Sequence, residues 1–429
     1  MTRPKTPFPK SVIGLLLAAS LAIVPMAAPS PAMHATAHAQ GTMCNTLTNT
    51  VYISGSSASQ PLIREAQRAL LIAGQSITLV YQSTASCDGV GGLLNATAVM
   101  ASGTYFTFTD PMDASSVTTH TCTPVATGVL SDIAVSDVSA AACAHNLGGT
   151  FDLGTNHHEI LGPVQSMTFV VPTTSTETSI SGEAARVVYG FGGMTHTVAP
   201  WTTTSQLFHR APSSGTQIII GENIGLLSTH WMGTEESGSG ALRDAVHAAT
   251  GPALGILASD VADAARANLH ILAYQHIGQS CGYLPDSSST TTDKANVRDG
   301  RYALFNPLRF TVSTATGGAV APHSGATAAN VQSVLDFVTL APTLTSAQGA
   351  LMVSAAAHAS TVPLCAMHVT RATESAVPVV AEPTAPCHGL FESIAGTPPG
   401  RTAATACTSD AACTAGTAHT CRFGFCEEH

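Results

Sequence analysis

The sequence predicts an α/β fold that ends in a short cysteine-rich segment. Segments of strand period and helix period alternate from about residue 50 to about residue 340. Each strand-like segment is followed by a loop of small polar residues and then by a helical pattern, which is the repeating unit of an open α/β sheet. From Pro383 onward the sequence is rich in Pro, Thr, Ala and Cys and has no apolar periodicity. Residues 386–429 are therefore expected to form a separate tail.

The first α/β unit lies near residue 50. Val51 to Ile53 predicts a short strand, and Gly55 to Gln60 predicts a loop of small residues. Pro61 suits a first helical turn, because its missing N–H is not needed there, and Gly74 can end the helix. The apolar residues of this helix share one face: Leu62, Ile63, Ala66, Leu70 and Ala73.

The same pattern returns along the chain. Ile77 to Tyr81 is rich in β-branched residues, which predicts a strand, and a Ser/Gly loop follows from Ser83 to Gly92. Similar units recur at 133–138, 167–171 and 207–220. Because open α/β sheets bind their ligands at the carboxyl ends of the strands, a site is expected in these loops.

Composition narrows the possible functions. The chain has 429 residues, with 16 Lys and Arg against 26 Asp and Glu, and a formal net charge of −10. This argues against a general nucleic-acid binder, which needs a basic face. Hydrophobic residues make up 45% and charged residues 10%, which argues against a disordered chain and allows one or two buried cores.

The N-terminus has the layout of a secretory signal peptide. Three basic residues, Arg3, Lys5 and Lys10, precede an apolar run at 12–28, and Ala37 to Ala39 forms an A-x-A cleavage site. We expect residues 1–39 to be removed, and the mature protein to be periplasmic or secreted. A retained membrane helix is the alternative, but the run is short and interrupted by proline. No later stretch is long and apolar enough to span a bilayer.

Eleven cysteines agree with an oxidising compartment. Four of them lie close together at 407–426 of the tail, where two disulfides would hold a segment too short to build its own core. Zinc is less favoured there, because C-x₂-C pairs are absent. Cys87, Cys122 and Cys143 are candidates to hold an insertion at Gly91 to Ser131 beside the site. An odd number leaves one thiol free or in an intermolecular bridge, and the sequence does not assign the pairing.

Three loops have the residues to bind an anion. The first offers Ser57 and Ser59, the second offers Ser83 to Ser86, and the third is Arg210 to Thr216. Helix N-termini carry unpaired N–H groups and partial positive charge, so they bind oxyanions without Lys, and Arg adds charged donors. For any single loop, an ordinary helix N-cap is the alternative interpretation.

These loops and other segments together resemble the periplasmic phosphate-binding proteins of ABC transporters, which are type 2 periplasmic binding proteins. Ile53 to Pro61 is similar to I-T-G-A-G-A-T-F-P, and Tyr81 to Val90 to Y-Q-x-x-G-S-x-G-G-V. The remaining similarities follow in the family's order: Asp132 to Asp137 to D-F-G-A-S-D, Ser181 to Trp201 to S-G-E-x-L-x-x-I-Y-x-G and a following W, Arg210 to Thr216 to R-x-x-x-S-G-T, and Gly238 to Ile256 to G-N-x-G-V … P-G-A-I-G-Y.

The resemblance implies a set of ligand-binding residues. They are Ser59, Gln60 (through its backbone N–H), Ser86, Asp137, Arg210, Ser214, Gly215 and Thr216. Asp137 matches the buried carboxylate that accepts a hydrogen bond from the anion. Phosphate retains a proton at neutral pH and can donate it, whereas sulfate would face an unpaired negative charge. Arg210 is expected to pair with both Asp137 and the ligand. A strand-end cap or a surface acid is the alternative role for Asp137.

The resemblance has departures that bear on the ligand. Gln60 stands where the family has an aromatic residue, and Cys87 and Asp88 stand where it has small ones. The segment Gly91 to Ser131 is longer than the compact helix of the family. Phosphate is therefore the first choice of ligand, within the broader class of tetrahedral oxyanions.

The resemblance also implies the domain organisation. The first domain would comprise residues 44–160 and 300–385, and the second residues 161–299. Met167 to Val171 and Tyr302 to Phe310 would be the two crossing strands. The ligand would lie in the cleft between the domains, which closes by a hinge. We expect a monomer without a cofactor that captures phosphate, with an ABC transporter permease as a partner.

Motifs for other chemistry are missing from the sequence. It contains no H-E-x-x-H and no phosphate-binding G-x-x-x-x-G-K-[ST]. The tightest His cluster, His157 to Glu159, lacks the distant partners of a metal site. No enzyme activity and no metal are therefore expected. A secreted phosphoester hydrolase and a surface or scavenging protein without a transporter remain the alternatives.

Overall fold

The computed structural model describes residues 42–97, 100–125, 127–192, 198–414 and 418–428. The predicted signal peptide and its cleavage site lie outside these residues. Within them, no helix is both long enough and apolar enough to cross a membrane.

The first part of the chain alternates strands and helices, as the sequence predicts. The elements are β1 (Thr50–Ser56), α1 (Gln60–Ile72), β2 (Thr78–Thr84), α2 (Ser86–Leu94), β3 (Gly103–Phe108), β4 (Val117–Cys122), β5 (Ile133–Ser136), α3 (Ala140–Leu147) and β6 (His157–Pro172).

The middle part has shorter elements. They are β7 (Ser179–Ser181), α4 (Gly182–Phe191), β8 (Phe208–Arg210), α5 (Gly215–Ile224), β9 (Thr234–Glu236), α6 (Ser239–Ala248), β10 (Gly255–Ala258), α7 (Ser259–Ala264), β11 (Leu269–Ile271), β12 (Ala273–Gln275) and α8 (Ala295–Arg298).

The last part adds one long strand, two long helices and the C-terminal segment. Its elements are β13 (Phe305–Ser313), α9 (Ala328–Val338), α10 (Ser346–His358), β14 (Val369–Thr370), β15 (Val379–Val380), α11 (His388–Ala395), β16 (Ala418–Arg422) and β17 (Phe425–Glu428).

A nine-stranded mixed sheet connects most of these elements, which confirms the predicted α/β class. Its order is β10-β6-β13-β5-β1-β2-β3-β4, and β11 also pairs with β6. β1 pairs in parallel with β2 and with β5. β13 returns antiparallel between β5 and β6.

β6 takes part in two different regions of the sheet. Its first half, from His157 to Ser166, pairs with β13. Its second half, from Met167 to Pro172, pairs with β10 and β11. The predicted crossing segment Met167 to Val171 lies in this second half, and the predicted segment Tyr302 to Phe310 overlaps β13. The boundaries of the two domains stay a prediction.

Helix α1 forms for the reasons that the sequence indicates. Pro61 occupies its first turn, where no intrahelical donor is lost. Leu62, Ile63 and Leu70 are buried against β1, β2, β13, α9 and α10 in one apolar core. A second core surrounds the far half of β6 and contains the buried α5. Residues of the central sheet belong to both cores.

The predicted insertion folds as a hairpin on the edge of the sheet. β3 and β4 pair antiparallel over their full length, and β3 joins β2 at Tyr81. Two disulfides hold this region: Cys44–Cys122 attaches the hairpin to the start of the described chain, and Cys87–Cys143 joins α2 to α3. The three cysteines predicted to hold the insertion are therefore all bonded, with Cys44 as an additional partner.

The C-terminal segment contains the two predicted disulfides, Cys407–Cys421 and Cys413–Cys426. Cys365–Cys387 is a further bond, and Cys281 is the odd thiol, free and exposed. The first helix of the segment, α11, contacts the rest of the fold: Glu392 forms a buried ion pair with Arg298 at 2.7 Å.

Candidate functional site

Three loops meet at one edge of the central sheet. Because β1 pairs in parallel with β2 and β5, the carboxyl ends of these strands lie side by side. The strands end at Ser56, Thr84 and Ser136. The first two predicted anion-binding loops and Asp137 therefore lie next to one another, where open α/β sheets place their ligands.

Asp137 follows β5 and is almost fully buried, at 1% exposure. Its Oδ2 accepts hydrogen bonds from the hydroxyls of Ser56 at 2.7 Å and Ser86 at 3.0 Å. Its Oδ1 is buried and has no partner among the residues described. Burial raises the pKa of Asp137, while the two hydroxyls and the charge of Arg210 oppose that rise. The unpaired oxygen leaves one acceptor for a further donor.

Helix α5 begins directly against this carboxylate. A Cβ atom on Gly215 would lie 2.4 Å from Ser86 Oγ and 2.6 Å from Asp137 Oδ2. Only glycine fits at the first residue of α5. Ser214 precedes the helix, and its side chain makes no capping hydrogen bond. The positive end of α5 therefore faces the Asp137 side chain.

The second and third loops are joined by the residues that depart from the family pattern. The backbone N–H of Cys87 donates to the carbonyl of Ser213 at 3.0 Å. The hydroxyl of Ser213 donates to the Asp88 carboxylate at 3.1 Å. The Cys87–Cys143 disulfide fixes the start of α2 at the same place. Asp88 therefore connects the loops through an exposed hydrogen bond.

Arg210, the last residue of β8, is buried at 2% exposure. Its Nη1 donates to the hydroxyls of Ser57 at 3.1 Å and Ser239 at 2.9 Å, and its Nε donates to the Glu236 carbonyl at 3.2 Å. No carboxylate in the described part of the chain lies within 4.0 Å of its guanidinium nitrogens. Burial lowers its pKa, and nearby negative charges, Asp137 first, oppose this.

The expected direct pair between Arg210 and Asp137 is therefore not what the structure has. The two side chains interact at longer range, and hydroxyl groups surround the guanidinium instead. Among the other predicted residues, Ser59 is fully buried, and its hydroxyl has no partner within the residues described. Thr216 is buried in the first turn of α5, and Gln60 is half-buried at the start of α1.

Sequence reasoning missed Ser56 and Ser239 among the residues that bond to Asp137 and Arg210. It also missed Asp260, at the start of α7. Asp260 Oδ1 accepts a hydrogen bond from Gln165 at 2.8 Å, and its Oδ2 is buried without a partner within the described chain. Burial raises the pKa of Asp260 well above its usual value, and the charge of Asp137 adds to this. A strand followed by Ser-Asp at a helix start is the signal that could have identified it.

Among the residues that the structure describes, two groups of side chains have the spacing of a metal site, and neither suits a cation. Cys407, Cys413 and Cys426 are all in disulfides. In the group of His368, Glu382 and His388, both rings accept from arginine, His388 Nδ1 from Arg298 and His368 Nε2 from Arg401. Their protons must then be on the nitrogens that face Glu382, where a metal would need a lone pair. His157 to Glu159 belong to β6.

No family model matches the sequence, and no curated protein matches it significantly. Solved structures do match the fold. A protein from Clostridium perfringens, solved with bound phosphate and described as a phosphate ABC transporter substrate-binding protein, is similar with a TM-score of 0.49 and 12% identity. The match covers 73% of this chain and 99% of that chain.

Two further structures illustrate the range of similar folds. A phosphate-binding protein from Stenotrophomonas maltophilia matches with a TM-score of 0.42 and 15% identity, over 73% of this chain and 90% of that chain. The regulatory domain of OxyR from Pseudomonas aeruginosa matches with a TM-score of 0.34 and 8% identity, over 67% and 94%. All these TM-scores lie below 0.5, and the proposals below rest on the contacts within this chain.

Proposed function

We propose that this protein is an extracytoplasmic solute-binding protein that captures phosphate, or a similar tetrahedral oxyanion, without turnover. One observation carries the proposal. The guanidinium of Arg210 is buried, and no carboxylate in the described structure is close enough to form an ion pair with it. A buried charge without a counter-ion in direct contact is costly, so a small anion in contact with Arg210 would be favoured.

The predicted site residues favour an anion over other ligands. Ser59, Ser214 and Thr216 are buried hydroxyl groups, and α5 directs its positive end toward Asp137. These groups donate hydrogen bonds to oxygen atoms. The unpaired Oδ1 of Asp137 is the one acceptor among them. Phosphate with its proton satisfies both types of group, whereas sulfate offers no donor to Asp137.

A ligand between α5 and Asp137 requires the two to separate. The contact between Gly215 and the Asp137 carboxylate leaves no room for a tetrahedral anion. We infer that Arg210 and α5 belong to one predicted domain and Asp137 to the other, and that a hinge opens the cleft for the ligand. Release of the ligand to an ABC transporter permease would use the same motion, with the protein acting as an exported monomer.

Isothermal titration calorimetry of the mature protein with phosphate, arsenate and sulfate tests this function. We expect phosphate and arsenate to bind and sulfate to bind at least about a hundredfold more weakly, because an unpaired buried carboxylate faces the sulfate. Arg210→Gln should abolish binding. Arg301→Gln is the matched control, because Arg301 is exposed and its long contact of 3.9 Å with Asp299 is weak.

Two outcomes would contradict the proposal. Failure of all three anions to bind would rule out the oxyanion site, provided that the thermal unfolding of the protein is cooperative. Steady release of phosphate from a generic phosphoester by the wild-type protein, abolished by the Arg210→Gln substitution, would instead show a hydrolase.

A further inference from the structure

A cavity of about 330 Å³ lies beside the Arg210 site. It is lined by the starts of α1 and α6, the end of β2, the hairpin β3–β4 and the start of α7. This volume lies at the lower end of the range for pockets that bind small organic molecules, roughly 300–1,000 Å³. A free phosphate would occupy only a small part of it.

The cavity is continuous with the hydroxyl groups that surround Arg210. Ser57 and Ser239 both line it, and both accept hydrogen bonds from Nη1 of Arg210. Their hydroxyl oxygens are 2.9 Å apart. An anion that contacts these two residues can therefore extend into the cavity.

The polar part of the cavity wall suits a negative charge. Arg64 and Arg243 line it with side chains that are 37% and 41% exposed, and no acidic residue is among its described lining residues. Neighbouring acids, Glu65 and Asp244, pair with these arginines from outside the lining. Helix α6 begins at Ser239 after Gly238, which has no side chain to cap it. The first N–H groups of α6 thus add partial positive charge at the wall.

Three apolar residues also line the cavity, and one of them comes from the insertion. Phe106 of β3 lines the cavity together with Pro61 and Val261. Thr119 of β4 lies opposite Phe106 in the hairpin register. The Cys44–Cys122 disulfide holds the hairpin in place. A cavity wall that combines apolar residues with two arginines is suited to a ligand with a charged head and a short carbon skeleton.

We propose that this site takes an organic phosphate or phosphonate. Its oxyanion contacts Arg210 and the surrounding hydroxyl groups, and its organic group lies in the cavity between Phe106 and α6. This inference rests on the proposed oxyanion-binding function and specifies its substrate class.

Calorimetry of the mature protein with inorganic phosphate, glycerol 3-phosphate and 2-aminoethylphosphonate tests the proposal. We expect at least one of the two organic anions to bind about tenfold or more tightly than phosphate. The phosphonate has no ester bond, so its binding cannot arise from hydrolysis and capture of the released phosphate.

Two substitutions locate the organic group. Thr119→Phe fills the cavity from the hairpin and should weaken the organic anion about tenfold or more, while phosphate changes less than about twofold, because only the larger ligand meets the added ring. Thr118→Phe is the matched control: Thr118 is the neighbouring exposed residue of β4 and does not line the cavity. Arg243→Gln should weaken the organic anion about threefold, as for an exposed charge.

The outcomes separate this inference from the function on which it rests. Binding of phosphate with no binding of either organic anion overturns the inference and leaves the proposed function intact. Failure of all three ligands overturns both. Tight binding of an organic anion that is equally weakened by Thr118→Phe and Thr119→Phe places the organic group outside the cavity and also overturns the inference.

Discussion

Asp137 determines which anion the proposed site accepts. Its Oδ2 already accepts hydrogen bonds from Ser56 and Ser86. Its Oδ1 is therefore the acceptor that would favour a ligand with a proton over one without. The selectivity requires an ionised carboxylate. Since burial raises the pKa of Asp137, this selectivity should weaken at a higher pH than for an ordinary carboxyl group.

Replacing this carboxylate should allow sulfate to bind. In Asp137→Asn the amide can donate to a sulfate oxygen, and we expect sulfate affinity to rise by about tenfold or more at about pH 8. In the wild-type protein, lowering the pH through the raised pKa of Asp137 should have the same effect. Calorimetry with sulfate across the pH range measures both, and sulfate affinity that is independent of pH and of the substitution would contradict this role.

A second buried acid, Asp260, should lower the stability of the protein. Its pKa is raised in the folded state, so the folded protein binds its proton more tightly than the unfolded chain does. Stability then falls as the pH rises from the unfolded value of 3.8 through the folded pKa, and the full cost is present above it. Asp260→Asn removes the charge and should stabilise the protein at about pH 8 by on the order of 1–3 kcal/mol.

Urea unfolding at two pH values measures this effect. The gain in Asp260→Asn should shrink as the pH falls toward 3.8 and disappear below it, where the acid is protonated in both states. Asp152→Asn, at an exposed loop residue, is the control and should change little. A destabilised Asp260→Asn at about pH 8 would show that the charge itself is required.

At the scale of elements, the close approach of α5 to Asp137 depends on one glycine. Gly215→Ala would place a methyl group 2.4 Å from Ser86 Oγ, so α5 or α2 must shift. We expect a loss of about 1–3 kcal/mol in stability, as for overpacked sites, and a phosphate affinity lowered about tenfold or more. Denaturant unfolding and calorimetry measure the two effects.

The matched control for that substitution lies on α4. A Cβ atom on Gly190 would make only an ordinary contact, with Leu226 Cδ1 at 3.6 Å, so Gly190→Ala should leave stability and phosphate affinity nearly unchanged. If Gly215→Ala folds and binds phosphate as the wild-type protein does, the contact between α5 and Asp137 is not part of the site.

The hairpin β3–β4 should depend on its disulfide. Cys44 and Cys122 are separated by 78 residues, and the loss of this bond by a double Cys→Ser replacement should lower stability by about 4 kcal/mol at most. Cys407 and Cys421 are separated by 14 residues, so their double replacement should cost less, about 3 kcal/mol at most. Urea unfolding compares the two, and a larger loss for the tail pair would contradict this expectation.

At the scale of the whole molecule, the sequence predicts the α/β class and the strand-end loops because these depend on local patterns. The strand at Ile77 to Tyr81 and the helix after Pro61 are examples, since periodicity and turn residues determine both. The juxtaposition of Ser86, Asp137 and Gly215 follows from the family resemblance rather than from any local pattern.

Other parts of the site depend on long-range packing and are not visible in the sequence. Ser239 reaches Arg210 only because α6 begins beside β9, and Asp260 approaches Asp137 only through the folded sheet. The disulfide partners of Cys44 and Cys365 likewise depend on the three-dimensional arrangement. Local spacing contains no information on these pairs.

The acidic composition and the proposed anionic ligand are compatible. Net charge argues against a polyanion on the surface, but a small buried anion responds to the groups in its immediate contact. Around Arg210 these are hydroxyl groups and a helix start, while Glu235 and Glu236 act from β9. The charges and dipoles close to Arg210, rather than the net charge of −10, therefore determine which ligand the proposed site binds.

The free thiol of Cys281 allows a dye to be attached for measuring motion at the proposed hinge. The ten other cysteines are paired, so a maleimide fluorophore would attach to this one exposed position without mutagenesis. It lies between β12 and α8, in the predicted second domain, whereas the exposed Thr118 lies in the predicted first domain. With a donor dye on Cys281 and an acceptor dye on Thr118→Cys, closure of the proposed cleft would change the efficiency of energy transfer between the dyes. Single-molecule fluorescence would measure this change.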